Sequence, residues 1–310
     1  MTSHQTIVGD WSPKNLFSFL FSPQLYIYRY NANGKDLNRN FPDLFKGGKN
    51  NGDPQPEANA ISRWMNQRQF ILSAAFHGGA LVASYPFDNK EVTLNLPHLG
   101  GRYQPSLTPD DDTFKHLATM YSFNHRKMHS AGACFPGDTV FPNGTTNGAA
   151  WYYLAGGMQD YNYVWNGAME LTLEVGCCKY PKGETLPEYW EDNKQAMLKY
   201  LGEAQRGVRG QVFDSQSNPI SNANIRIKGR TFGSKTTPLG EFWRILMPGV
   251  YTLQVCNLTH SIEYRNIWDS QRMFLMVLGG SWWIPTVRAD FPGGRRPSYS
   301  DQCVFKTWNW

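Results

Sequence analysis

Residues 70–79 read FILSAAFHGG, a seven-residue apolar run with one serine that ends at His77, Gly78 and Gly79. A short apolar run that ends in turn residues predicts a strand covered on both faces, as in the sheets of α/β proteins. His77 then lies at the carboxyl end of this strand, where open α/β sheets bind their ligands. The stretch therefore predicts an α/β domain with a candidate binding residue at His77.

The segments on either side of this strand predict helices and a second strand. Residues 54–67, PQPEANAISRWMNQ, begin with proline and carry apolar residues at helical spacing, which predicts an amphipathic helix. Residues 168–175, AMELTLEV, alternate in polarity, which predicts a strand with Glu174 on the face opposite its apolar residues. Residues 186–204 predict another helix, whose apolar stripe consists of Trp190, Met197, Leu198 and Leu201.

The pattern changes after about Arg206. Short alternating runs separated by Ser217-Asn218-Pro219 and by Pro248-Gly249 predict a small all-β module. Beyond about His260 the sequence shows neither a helical nor a strand period. We therefore divide the chain into a divergent segment at 1–28, an incomplete α/β domain at 29–205, an incomplete β module at 206–260 and an unassigned tail at 261–310.

Composition and charge exclude several classes of protein. Of 310 residues, 41% are apolar and 18% are charged, which is typical of a folded chain. The net charge of +5 comes from scattered basic residues, so no nucleic-acid partner is predicted. No apolar run reaches the roughly 18 residues of a membrane helix, and residues 1–14 lack the pattern of a secretory signal. Five cysteines and the glycosylation sequons at Asn143 and Asn257 favour export.

Residues 31–43, NANGKDLNRNFPD, form a polar loop that could bind an anion. Arg29 and Arg39 are ten residues apart, Asn38 lies beside the second, and a glycine between them allows a tight turn. Two guanidinium groups and an amide can bind a carboxylate through paired hydrogen bonds. The alternative is that the arginines are solvated or paired with Asp36 and Asp43, because surface ion pairs are common.

Other polar residues have a functional and a structural interpretation. His77 is a candidate zinc ligand or a hydrogen-bonded structural histidine. Glu174, on an otherwise apolar strand, is a candidate general base or one half of a buried ion pair. Tyr152 is a candidate hydrogen-bond donor, although aromatic residues usually serve packing. His125 and His129 have helical metal-binding spacing, but without a third ligand nearby they are interpreted as a solvated face.

Four segments of the chain together resemble one family of enzymes. NANGKDLNRNFPD, HGGALVASYPFD, NGAAWYYLAGGMQDYNY and ELTLEVGCCKYP occur in the order found in zinc metallocarboxypeptidases of the carboxypeptidase N/E group, in particular its M and D branches. The resemblance extends from about Arg29 to Glu203, and the β module resembles the transthyretin-like domain of this group. It implies a mixed twisted sheet flanked by helices, truncated at its amino terminus, followed by a small all-β sandwich.

The resemblance also implies roles for individual side chains. Those implied in catalysis are Glu174 as the general base, Tyr152 and Arg29. Those implied in substrate binding are Arg29, Asn38, Arg39, Asp88, Tyr152 and Gln159. His77 would bind zinc, the implied cofactor. Because Asp88 and Gln159 match positions that select basic side chains, the implied partners are peptides or proteins ending in Arg or Lys.

The chain departs from the family pattern at its metal site. The family takes two further zinc ligands from an H-x-x-E motif, but His4 is followed three residues later by Ile7, and the first glutamate is Glu57. Only one of three zinc ligands is therefore expected in this chain, and one imidazole should not hold zinc usefully. The predicted function is a zinc carboxypeptidase with impaired hydrolysis. The alternative is a non-catalytic protein that binds basic peptide C-termini.

A second departure concerns the cysteines. Ala168 stands where close relatives carry a cysteine, which leaves two alternatives, a bridge from Cys134 to Cys177 or from Cys134 to Cys178. By the resemblance, the protein is expected to be a monomer, located outside the cell or at its surface.

Overall fold

The computed structural model describes residues 29–91, 103–214 and 216–256, together with strand residues 274–279, 282–283, 287–288 and 303–309. The segment at 1–28 and the sequon at Asn257 lie outside the described residues.

The first domain combines a mixed sheet with flanking helices. Its helices are α1 (Pro56–Gln67), α2 (Asp111–Asn124), α3 (Gly148–Trp151), α4 (Met158–Asn166) and α5 (Leu186–Gly202). Its strands are β1 (Pro42–Asp43), β2 (Lys49–Asn50), β3 (Leu72–His77), β4 (Ala80–Tyr85), β5 (Thr145–Asn147) and β6 (Met169–Gly176). None of the helices in the described part combines the length and the apolar character needed to cross a membrane.

The main sheet has the order β3-β6-β4-β5. Strand β6 runs parallel to β3 and antiparallel to β4, while β4 runs parallel to β5. Leu171 and Leu173 of β6 pack in the core with Phe114, Leu117 and Tyr121 of α2, and all five are fully buried. The prediction of a mixed α/β sheet flanked by helices is confirmed.

Strand β3 is less covered than its sequence predicts. All six residues of Leu72–His77 are only half-buried, so the prediction of a strand covered on both faces is wrong. Within the described residues β3 pairs with β6 alone, which leaves its other hydrogen-bonding edge and part of its surface without a neighbour. An apolar cavity of about 270 Å³ lies beside it, with Trp64, Phe76 and Met197 in its wall.

Helix α5 also turns a different face to the core. Trp190, Leu198 and Leu201 are 55%, 63% and 66% exposed, so the predicted apolar stripe is wrong for these three residues. The buried face instead carries Asp192, Asn193, Ala196 and Tyr200. Polar contacts hold this face: Tyr121 donates a 2.8 Å hydrogen bond to Asn193, and the Tyr200 hydroxyl donates to the carbonyl of Ser73. Hydrogen bonds, and not the most apolar side chains, therefore decide which face of α5 is buried.

The interpretation of His125 as part of a solvated face is wrong. His125 is buried rather than solvated, and its Nδ1 accepts hydrogen bonds from the backbone amides of Lys127 and Met128, both at 3.1 Å. Burial lowers the pKa of His125 to about 4, so its imidazole is neutral near pH 7. The residue therefore stabilises the turn that follows α2.

The cysteine alternatives are resolved in favour of one bridge. Cys134 forms a disulfide with Cys177, which ties the loop before α3 to the end of β6. Cys178 is a free, exposed thiol.

The β module consists of two antiparallel sheets around a small core. One has the order β10-β7-β12-β13 with β14 beside β12, and the other has the order β15-β11-β8-β9. The strands are β7 (Val208–Phe213), β8 (Asn224–Ile227), β9 (Ser234–Lys235), β10 (Glu241–Arg244), β11 (Val250–Cys256), β12 (Phe274–Gly279), β13 (Trp282–Trp283), β14 (Val287–Arg288) and β15 (Cys303–Asn309). The core contains Val212, Ile225, Phe242 and Leu253. Segments beyond residue 260 thus contribute strands to both sheets.

A buried ionic cluster joins the module to the first domain. Asp110, fully buried beside the start of α2, accepts hydrogen bonds from Tyr163 and from Arg230, each at 2.6 Å. Arg244 of β10, also buried, donates a third hydrogen bond to Asp110. Burial alone would raise the pKa of Asp110, but Arg244, Tyr163 and Arg230 together hold it below its ordinary value. Asp110 is therefore a carboxylate near neutral pH.

Gly167 forms a second contact between the first domain and the β module. It ends α4 with φ +68°, and a Cβ at this position would lie 2.4 Å from the carbonyl oxygen of Gly233. We expect Gly167→Ala to lower the free energy of unfolding by about 2 to 3 kcal/mol, because it adds a clash to a left-handed backbone. Urea denaturation measures the change.

Gly47→Ala is the matched control, since Gly47 has φ +67° but no atom within 4 Å of an added Cβ. It should cost about 1 kcal/mol from backbone strain alone. Equal losses for the two variants would contradict the proposed clash.

Candidate active site

The polar loop before β1 presents Asn38 and Arg39 on a short 3-10 helix, Leu37–Arg39. Asp36 caps this helix, since its Oδ1 accepts from the amide of Asn38 at 3.1 Å. The Oδ1 atom of Asn38 accepts from the amide of Met158 at 2.8 Å, which anchors the loop to the start of α4. The side-chain Nδ2 group of Asn38 is the part that can donate a hydrogen bond to a ligand.

Arg39 of the polar loop and Arg29, which precedes the loop, both form ion pairs with Asp36. Arg29 Nε donates to Asp36 Oδ2 at 2.7 Å, and Arg39 Nη1 lies 3.9 Å from the same oxygen. The interpretation that the arginines pair with Asp36 is thus correct, whereas Asp43 accepts from other groups. Because Asp36 holds both guanidinium groups on one side of the loop, they remain next to each other at the cleft described below.

His77 and Glu174 are brought together by the pairing of β3 and β6. The two residues are direct partners in the parallel register. His77 Nδ1 and Glu174 Oε2 lie 2.8 Å apart, and His77 Nε2 lies 3.2 Å from Arg29 Nη1. Glu174 is therefore both a partner of the imidazole, as the structural interpretation held, and a carboxylate next to the arginine pair.

Asp88 forms a buried acidic pocket three residues after β4. Its Oδ1 accepts from Gln159 Nε2 at 2.9 Å, and both residues are buried. A Cβ on Gly148 would lie 1.8 Å from this oxygen, so the carboxylate fits there only because position 148 is glycine. Burial raises the pKa of Asp88 to about 7, which Arg39 opposes. The pocket therefore gains a negative charge as the pH rises through neutrality.

Tyr152 follows helix α3 at the mouth of this pocket. Burial raises the pKa of its hydroxyl, and the nearby charges of Asp88 and Glu174 add to the shift while Arg39 and Arg29 oppose it. The phenol is therefore a neutral hydrogen-bond donor at physiological pH.

These side chains converge on one cleft. Its lining residues are Arg29, Asn38, Arg39, His77, Ser84, Asp88, Gly148, Trp151, Tyr152, Leu154, Thr172 and Glu174. Seven of the eight residues singled out from the sequence are in this set, and the eighth, Gln159, contacts Asp88 from behind. The cleft combines guanidinium donors, a histidine–carboxylate pair and a buried acid, so it can bind a molecule that carries both a carboxylate and a cation.

The donor set of the cleft does not fit a resident zinc ion. Among the described residues there is no group of three His, Cys, Asp or Glu side chains that could hold a metal. The imidazole that would serve, His77, has Nδ1 hydrogen-bonded to Glu174 and Nε2 facing a guanidinium cation. A catalytic zinc ion needs three protein ligands and an open position.

Sequence reasoning missed two buried carboxylates that support the cleft. Asp160 accepts from the backbone amides of Asp88 and Asn89. Asp43 accepts from the Asn89 side chain at 3.0 Å and from the amide of Gly156 at 2.8 Å. The position of Asp160 directly after Gln159 was the available signal, but nothing in its local pattern predicts burial.

Comparison with protein families identifies both parts of the chain. The model described as zinc carboxypeptidase matches residues 21–196, more than half of the chain. The model described as carboxypeptidase regulatory-like domain matches residues 207–266.

Individual relatives agree with these matches. Carboxypeptidase M of Mus musculus is 43% identical over 265 residues, which cover 85% of this chain and 56% of the relative. Carboxypeptidase D of Drosophila melanogaster is 44% identical over 74% of this chain and 16% of its own length. The carboxypeptidase N catalytic chain of Mus musculus is 41% identical over 73% of this chain and 52% of its own length. The chain thus spans about half the length of the M and N relatives.

Proposed function

Because this chain belongs to the zinc carboxypeptidase family, a family of peptidases, we propose that its cleft binds the C-terminus of peptides and proteins that end in Arg or Lys. The observation that carries the proposal is the convergence of two guanidinium groups and a buried acid in one cleft. The guanidinium groups suit the terminal carboxylate, and the acid suits a cationic side chain.

Each side chain has a role in this binding. Arg39, Arg29 and the amide of Asn38 hold the terminal carboxylate by charge-assisted hydrogen bonds. Asp88, oriented by Gln159, pairs with the basic side chain. An apolar or acidic side chain would leave the Asp88 charge buried and unpaired, which disfavours it.

Two further residues, together with Arg29, act at the bond that precedes the terminal residue. Glu174 is the proposed general base toward a water molecule, Tyr152 closes over the bound peptide and donates a hydrogen bond, and Arg29 stabilises developing negative charge. His77 holds Glu174 in place through the 2.8 Å hydrogen bond. His77 is also the zinc ligand that the family resemblance implies, but the described residues do not fit the metal.

The observed donor set favours a second candidate function. Among the described residues the cleft holds one imidazole, which Glu174 engages, so we propose that the chain recognises basic C-termini with little or no hydrolysis. Descent from a peptidase and loss of turnover are compatible, because guanidinium groups and a carboxylate can bind a charged C-terminus without a metal. We further propose an extracellular or cell-surface, glycosylated monomer, with domain boundaries near residues 29 and 206.

Zinc content and turnover separate the two candidates. The purified chain is incubated with equimolar zinc, desalted and analysed for metal, and is then tested for arginine release from an Arg-terminated peptide. Binding of the peptide without zinc or turnover supports the non-catalytic binder. About one zinc per molecule together with arginine release would show a working hydrolase and refute our ligand count. Failure to bind the peptide at all would overturn both candidates.

The acidic pocket gives a specific prediction. Asp88→Asn should weaken binding of an Arg-terminated peptide about 30-fold at pH 8, because a buried ion pair is lost. Isothermal titration calorimetry measures the affinity. A Leu-terminated peptide serves as the control and should bind both proteins equally weakly. If the substitution changed both affinities alike, Asp88 would not be the selecting group.

A further inference from the structure

We propose that Asp160 is the positioning residue of the acidic pocket: it fixes the backbone that carries Asp88, and its negative charge sets the pH above which the pocket accepts a cationic side chain. The proposal rests on the proposed function only in naming that side chain. No motif of the sequence singled out Asp160, and its carboxylate does not line the cleft.

The hydrogen bonds of Asp160 support the positioning role. Its Oδ1 and Oδ2 lie 2.9 Å and 3.0 Å from the amide nitrogen of Asp88, and Oδ2 also accepts from the amide of Asn89 at 3.3 Å. Asp160 is buried, so these two amides would lose their acceptor if it were removed. A carboxylate that receives backbone amides is a strong and directional anchor.

The same contacts bring two buried carboxyl groups close together. Burial raises the pKa of Asp88 to about 7 and raises that of Asp160 well above its ordinary value. The nearby Asp88 charge adds to the shift of Asp160, while the hydrogen bonds from the amides of Asp88 and Asn89 oppose it. The two groups therefore titrate as a pair. Two like charges in one buried site oppose each other's ionisation.

The groups that face this pair come from several elements. Arg39 of the polar loop favours the charged form of Asp88, while Glu170 of β6 opposes it. Asp43 opposes the charged form of Asp160. Tyr152 also lies close to Asp88 and is neutral. Burial and Glu170 together outweigh Arg39, so Asp88 keeps its proton up to about pH 7.

The hydrogen bonds indicate where this proton resides. Both oxygens of Asp160 face backbone N–H donors, so a proton on Asp160 would displace one of them. Asp88 accepts from Gln159 through one oxygen, which leaves the other to carry a proton. We therefore assign the shared proton to Asp88 and the persistent charge to Asp160. A cationic side chain binds once Asp88 loses this proton, so affinity rises with pH through about 7.

The test combines a titration with a binding measurement. Carboxyl-carbon NMR of the wild type should show that the Asp88 resonance titrates near pH 7 and also responds to the ionisation of Asp160. In Asp160→Asn, which removes the neighbouring charge, the Asp88 midpoint should fall by about one pH unit or more. The pH at half-maximal affinity for an Arg-terminated peptide should fall with it. Asp53→Asn, which removes an exposed charge elsewhere, should move neither midpoint.

The outcomes keep this proposal distinct from the proposed function. The NMR midpoint needs no peptide, so it decides the coupling even if no peptide binds, in which case the proposed function fails alone. A wild-type Asp88 that titrates in one step near pH 4 overturns the inference without recourse to any variant. An unchanged Asp88 midpoint in a folded Asp160→Asn protein overturns it as well.

Discussion

Replacing Asp110 with alanine is expected to lower the free energy of unfolding by about 3 to 5 kcal/mol. The substitution removes the carboxylate that receives hydrogen bonds from Tyr163, Arg230 and Arg244. Arg244 would then be a buried cation without its counter-ion, and unpaired buried charges are costly. Urea denaturation followed by tryptophan fluorescence measures the loss.

Asp112→Ala is the matched control for this prediction. Asp112 is 45% exposed and pairs with Arg230 at 2.8 Å, so its removal should cost at most about 1 kcal/mol. A comparable loss for the two variants would contradict the special role of the buried carboxylate. Because Asp110 links the first domain to the module, we also expect its loss to separate their unfolding into two transitions.

Replacing Arg39 with methionine is expected to weaken binding of an Arg-terminated peptide about 100-fold, or about 2.7 kcal/mol. Methionine keeps much of the aliphatic side chain but cannot bind the terminal carboxylate. Arg39 is a cleaner target than Arg29, because Arg29 also contacts His77 and forms the shorter ion pair with Asp36. Calorimetry with the same peptide measures the change.

A peptide with an amidated C-terminus provides the control. It lacks the terminal charge, so it should bind the wild type weakly and bind Arg39→Met with nearly the same affinity. The difference between the two peptides isolates the interaction of the guanidinium with the carboxylate. If Arg39→Met weakened both peptides equally, Arg39 would act through the shape of the loop and not through its charge.

The sequence predicts the cleft better than it predicts the surfaces around it. The residues that line the cleft lie at strand ends and in turns, where short motifs specify local geometry. The contact of His77 with Glu174 depends in addition on the register of β3 and β6, which the structure shows. The faces of β3 and α5 depend instead on which elements cover them. Leu198 and Leu201 are apolar at helical spacing yet exposed, while Asn193 is buried because Tyr121 binds it.

Long-range polar contacts were the least predictable feature. Asp110 and Arg244 are separated by 134 residues, and neither stands in a pattern that predicts burial. Asp160 was missed for the same reason: its role depends on amides 71 and 72 residues away. A buried carboxylate resembles a surface residue in a sequence until its partners are known.

In the described part of the chain, strand β3 has a neighbouring strand on one edge only. Sheet edges are commonly guarded by lysine or proline, and Leu72–His77 contains neither. Within the described part of the chain, the outward main-chain groups of β3 are open to another extended polypeptide, which can be added as a further strand. Where that edge stays uncovered, we expect Leu72–His77 to favour self-association at high protein concentration.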